Sequence, residues 1–307
     1  MSLPTSSDGT PPVLFQYDPN PVAACIFIAG FGLCTIGHFV QMCWLRTWYF
    51  IPFIIGCLLE TFGYYGRFWC SQSPQDYGAY VMQLLLILPA PVFLAATMYM
   101  SIRRIIEALE ADELSPIRPS LMSKLFVLGD IICFIIQVAG TGMQVTTSTD
   151  TQHIGGIVTV VGLIFQILVF ALFVAMVWKF LCRCRLQDRT DMVPWKRYIV
   201  ALLAACALIV LRNLVRGIEH AQGAGSYIST HEAFAYIFEA LFMLAVVVLF
   251  LIYQPGRLQR SLRLLKSSVH MEMQTTTGSQ NEGLMPKSDE RRYQPHRASR
   301  AIHMRRA

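Results

Sequence analysis

Charge is scarce in this chain. Asp, Glu, Lys and Arg supply 14% of its 307 residues, where soluble domains carry about 25%. That deficit excludes a disordered polymer, and the 54% of hydrophobic residues exceeds what a water-soluble domain of this size can bury. The implied solvent is lipid. Basic residues are also missing from the first 20 positions, so the start lacks the n-region of a cleaved signal peptide, and the first span is expected to insert uncleaved. No Asn-x-Ser/Thr sequon, Gly-rich phosphate loop or nucleophile elbow occurs, which leaves nucleotide-driven and serine-hydrolase chemistry without their usual residues.

Long apolar runs are what remains. A spanning helix needs about 20 mostly apolar residues, and seven such stretches follow one another: 21–44, 48–70, 78–102, 125–145, 154–178, 198–218 and 233–253. The expectation is an all-α integral membrane protein of seven helices over 21–253. A polar tail, 1–20, precedes them, and a basic amphipathic helix over 254–273 and a disordered tail over 274–307 follow. Lys and Arg are absent from 1–20, 71–77, 149–153 and 219–232. They occupy every intervening connection (Arg46; Arg103, Arg104, Arg118 and Lys124; Lys179 to Arg197) and the tail beyond 253. By the positive-inside rule the N-terminus is exoplasmic and the C-terminus cytoplasmic. The basic surplus is therefore a topology signal and not a nucleic-acid surface. In the tail, Leu258, Leu262, Leu265 and Val269 form one stripe flanked by Arg257, Arg260, Arg263 and Lys266, the pattern of a helix lying on an anionic membrane surface.

Several charges stand where lipid should be, and such residues persist when they pair or face a cavity. Glu60 and Arg67 share a face of the second span. Arg212, Arg216 and Glu219 form one stripe on the sixth, and Glu232 and Glu239 repeat a seven-residue spacing on the seventh. At 1.5 Å rise per residue, Glu60, Arg212 and Glu239 come to one depth, and Arg67, Arg216, Glu219 and Glu232 to a second nearer the exoplasmic surface. Four carboxylates face three guanidiniums. The seven residues can be an ion-pair cluster holding the bundle, or a ligand-binding pocket in which a cationic ligand supplies the missing charge. Asp130 and His38 lie at similar depth in the cytoplasmic half and form a candidate proton relay. Pro89 and Pro91 interrupt the third span, as a fixed bend or a gate. Gly129, Gly140, Gly142, Gly155, Gly156 and Gly162 suggest close packing of the fourth and fifth spans. Cys182 and Cys184 stand beside Arg183 and Arg185 as candidate palmitoylation sites. His153, His220 and His231 lack zinc-site spacing, and no metal or cofactor is expected.

The charged stripes also carry a resemblance. Glu60–Arg67 (ETFGYYGR), Tyr80–Met100, Leu125–Met143, Arg212–Leu244 and the closing Gln254-Pro255-Gly256 resemble the fungal lipid-translocating exporters, seven-span proteins named for resistance to an aminocholesterol. Two positions depart from that pattern: Glu239, where the family more often has Asp, and Gln254, where His commonly precedes Pro-Gly. The resemblance implies a non-enzymatic fungal protein of plasma or internal membranes. It would export or flip amphipathic lipids such as sphingoid bases and protect against toxic amphiphiles; some relatives are tied to porphyrin traffic. Membrane lipids and an amphipathic substrate are the implied partners. A seven-span lipid or stress sensor is the alternative, although the receptor-type Asp-Arg-Tyr and Asn-Pro-x-x-Tyr motifs are missing. The seventh span holds no Lys for a retinal Schiff base. A metallohydrolase built on His220 and His231 is the remaining reading.

Overall fold

The computed structural model describes residues 20–73, 76–109, 111, 113, 115, 119–144, 148–186, 195–222, 232–264, 267, 268 and 271. Among them there is no strand. The helices are α1 (Pro21–Leu45), α2 (Ile51–Gln72), α3 (Tyr77–Ile87), α4 (Ala90–Ala108), α5 (Pro119–Gln144), α6 (Thr149–Leu186) and α7 (Trp195–Gln222). A short turn (Glu232–Phe234) and a π-helical stretch (Ala235–Leu241) then lead into α8 (Phe242–Ile252). Asn20 caps α1, its Oδ1 accepting from the backbone N–H groups of Val22 and Ala23. Asp76 does the same for α3 through Gly78 and Ala79.

Each helix packs on the next, and α8 returns to both α7 and α1, so the helices close a ring, with α4 also touching α7. Large apolar side chains such as Leu33, Ile36, Trp44, Leu168, Leu172 and Trp178 are exposed on its outside. In water that belt would be an aggregation surface; against acyl chains it costs nothing. Six helical segments are long and apolar enough to cross a membrane: 21–45, 78–108, 121–144, 150–184, 195–222 and 232–264. The second expected span, α2, is a 22-residue helix but is not one of the six. Glu60, Arg67 and three glycines lower its apolar character, so composition alone does not mark it as spanning.

The third expected span is two helices. Pro89 and Pro91 cannot donate to the carbonyls of Leu85 and Ile87, and the chain breaks at Leu88–Pro89 between α3 and α4. The glycines of α2 fit this break. A Cβ on Gly56 would lie 3.1 Å from the Ala90 carbonyl oxygen, and one on Gly63 would lie 2.4 Å from Ile87 Cγ1.

Helices α5 and α6 are in backbone contact at Gly140, Gly155 and Gly162, while Gly129 meets only the Val169 side chain. Gly142 and Gly156 face open space, so the six-glycine expectation reduces to one face. At the other end, Gly256 lies against Thr47, and Gln254 Nε2 donates to Thr47 Oγ1 at 3.4 Å. The helix over 255–264 buries Leu258 and Leu262 in the protein core. These two side chains therefore turn to the bundle and not to a lipid surface, as the stripe had suggested; Leu265, Lys266 and Val269 lie outside the described residues. The compact unit described here ends at Leu262, and a second begins at Arg263. The expected tail over 274–307 also lies outside the described residues.

Candidate functional site

The charged residues of α2, α7 and the stretch from Glu232 to Leu241, called the seventh helix, do converge. Arg212 Nη2 donates to Glu239 Oε1 at 2.9 Å, and Arg216 Nη1 pairs with the same oxygen. Arg212 Nη1 also reaches Asn213 Oδ1 at 3.3 Å, while its Nε has no acceptor. Nearer the outer end, Arg67 Nη2 pairs with Glu232 Oε1 at 3.4 Å, and its Nε donates to the Tyr236 hydroxyl at 3.1 Å. Glu232 accepts the Asn20 backbone N–H at 2.8 and 3.1 Å through its two oxygens, and Tyr236 donates to the Asn20 carbonyl at 3.2 Å. The start of α1, the end of α2 and the start of the seventh helix are thus tied at one point. Phe27 stacks on Tyr236 at 5.5 Å, and Tyr64 packs beside both.

Two features differ from the helical-wheel expectation. Arg216 does not pair within the outer layer; it reaches inward to Glu239. The reason is the π-helical stretch Ala235–Leu241. A wider turn accommodates one extra residue, which rotates Glu239 off the Glu232 face toward α7. There Arg212 and Arg216, four apart, present two guanidiniums to it. Glu60 is the second difference. It is 0% exposed, and neither carboxyl oxygen has a hydrogen-bond partner. Its charged neighbours are Arg212, Glu239 and Arg216, but both arginines form their ion pairs with Glu239. Glu219 is half-buried and has no ion-pair partner among the described residues. The surplus acid expected from four carboxylates and three guanidiniums therefore lies with Glu60 and Glu219.

Asp130 and His38 have separate partners. Tyr99 donates to Asp130 Oδ2 at 2.7 Å, leaving Oδ1 without one. His38 Nε2 meets the Val247 carbonyl at 3.0 Å, and its ring packs on Phe50 and Phe53. No hydrogen bond joins the two, so the structure does not assemble the candidate relay. Cys182 is exposed but Cys184 is buried, which removes the second thiol of the candidate acylation pair. Among the described residues no three His, Cys, Asp or Glu side chains form a metal-binding group. His231 lies outside those residues. The π-helix had no signal in the sequence, because apart from Glu239 the stretch Ala235–Leu241 reads as an ordinary apolar spanning segment.

This is a multi-pass helical membrane protein with a buried charge cluster between α2, α7 and the helical stretch over 232–241. Residues 53–261 match the family described as RTA1 like protein, and the chain belongs to that family. In Saccharomyces cerevisiae, a relative named Protoporphyrin uptake protein 1 is 30% identical over 277 aligned residues, covering 78% of this chain and 90% of its own. Protein RTM1 of the same species is 31% identical over 206 residues, 66% of each chain. The Sphingoid long-chain base transporter RSB1 is 26% identical over 277, covering 78% of this chain and 72% of its own. No solved structure matches.

Proposed function

We propose that this protein is a transporter of amphipathic molecules, moving amine-bearing lipids such as sphingoid long-chain bases across a fungal membrane. Membership of a family with relatives named as transporters supports the class. The observation carrying the substrate reading is Glu60, a wholly buried carboxyl without a partner, beside arginines already committed to Glu239. A buried acid in that state suits a cationic head group, while the lipid tail lies along the aromatic face of Phe27, Tyr64 and Tyr236. Glu60, Arg67, Arg212, Arg216, Glu219, Glu232 and Glu239 are the proposed ligand-binding set, with the Pro89–Pro91 break shaping its floor. Plasma membrane residence and a role in resistance to toxic amphiphiles belong to the same proposal.

A second reading has its own support. The relative covered over 90% of its length is named for protoporphyrin uptake, and a porphyrin bears carboxylates. Such a ligand would need free guanidiniums, whereas all three arginines here are engaged by acids. Purified protein in liposomes, offered a fluorescent sphingoid base, a phospholipid and a porphyrin, separates these readings. Movement of the sphingoid base without added factors is expected. Preference for the porphyrin overturns the amine reading, and binding without movement makes the protein a sensor.

The proposed topology has seven spans, including α2, with the N-terminus outside. A tag at Ser2 is expected to be labelled on intact cells, and one at Ala307 only after permeabilisation. Both tags on one side would leave α2 outside the set of spans and dismantle the depth comparison.

A further inference from the structure

Resting on the amine reading, the geometry points to a proton-for-amine exchange at Glu60: the empty site holds a proton on this carboxyl, and a long-chain ammonium enters by displacing it. The argument is one of charge and contact. Arg67 is matched by Glu232, and Arg212 and Arg216 share Glu239, which leaves one positive charge for two further acids. Glu219 is half-buried and nearer the water, so its ionised form completes three guanidiniums against three carboxylates. Glu60 is the fourth acid. Ionised and empty, it would be a buried charge with no donor on either oxygen, the costliest arrangement the interior offers.

The cations that face Glu60 are already paired with Glu239. From α7 it faces Arg212 and Arg216, and from the π-helical stretch Glu239. On its own helix Cys57 and Tyr64 lie beside it, and α1 adds Cys34 near Cys57. On the α3–α4 side, Gly56 and Gly63 bracket Glu60 against the apolar turn from Ile87 to Leu94. The step balances simply. The carboxyl O–H breaks, its proton goes to water at the exoplasmic side, and the ammonium N–H groups donate to the resulting carboxylate. No oxidant, nucleotide or metal takes part. An amine bound in exchange for a proton leaves the net charge of the bundle unchanged, so a pH gradient across the membrane can drive amine movement.

The test uses the full-length protein in nanodiscs, with dodecylamine as the probe, because it stays cationic from pH 6 to 8. On mixing in weak buffer, release of close to one proton per bound amine is expected. Linkage then requires affinity to rise about tenfold per pH unit across that window. Glu60→Gln is expected to bind weakly, without proton release or pH slope, and Glu107→Gln, an exposed acid outside the cluster paired with Arg103, to keep both. Binding by the wild type without release overturns the exchange and leaves the amine reading standing; so does release that survives in Glu60→Gln. Absence of amine binding at every pH overturns both. If Glu60→Gln fails to fold, the wild-type proton count decides alone.

Discussion

Glu239→Gln is expected to destabilise the bundle more than any other single charge substitution, while Glu60→Gln leaves it as stable as wild type or more so. Glu239 Oε1 is the shared acceptor of Arg212 and Arg216, two guanidiniums on neighbouring turns of α7. Gln offers a neutral oxygen, so both cations stay in the interior without a counter-charge. Breaking a buried pair by removing one partner costs about 3–5 kcal/mol, and two arginines depend on this one acid. Glu60 has no hydrogen-bond partner to lose, and an amide of the same shape replaces a carboxyl that, holding its proton, is already neutral. Thermal midpoints in detergent, with the fraction of each variant reaching the cell surface, measure the difference. Replacing Arg216 by Met alongside Glu239→Gln should recover part of the loss, because one stranded cation is removed. If Glu239→Gln is stable and Glu60→Gln unfolds, the roles of the two acids are reversed and Glu60 is the structural one.

Gly155→Ala is expected to lower the midpoint sharply, while Gly156→Ala, one residue away, leaves it unchanged or raises it. A Cβ on Gly155 would lie 2.6 Å from the Gly140 carbonyl oxygen and 2.9 Å from the Gln144 backbone nitrogen. Those are backbone atoms of α5 and cannot swing aside. The helices must separate, weakening the buried Gln137–Gln166 hydrogen bond at 2.8 Å and the Gln144–Thr159 bond at 2.9 Å. Overpacking of this kind costs about 1–3 kcal/mol, and in lipid no solvophobic drive presses the helices back together. A Cβ on Gly156 meets nothing within 4 Å, and Ala is the better helix former by about 1 kcal/mol. Equal midpoints for the two variants would show that this contact does not hold α5 to α6.

Much of the site was readable from spacing, for a simple reason. A helix repeats every 3.6 residues and rises 1.5 Å per residue, so residues seven apart share a face and charges on antiparallel helices can be matched by depth. That arithmetic brought Arg212 to Glu239 and Arg67 to Glu232. It failed for Arg216, because it assumes an unbroken α-helix and Ala235–Leu241 is π-helical. It failed again for His38 and Asp130, since equal depth says nothing of position around the ring. His38 faces α8, and Asp130 faces Tyr99 of α4.

The sequence by itself determined the solvent, the helical class and the residues that had to leave the lipid, because a backbone in hydrocarbon must satisfy its own hydrogen bonds and a charge there must find company. Tertiary structure decided which company each charge found. Seven ionisable side chains allow many pairings. Only packing of α2 against the Pro89 break, and the extra residue in the seventh helix, gave Glu239 two arginines and left Glu60 with none.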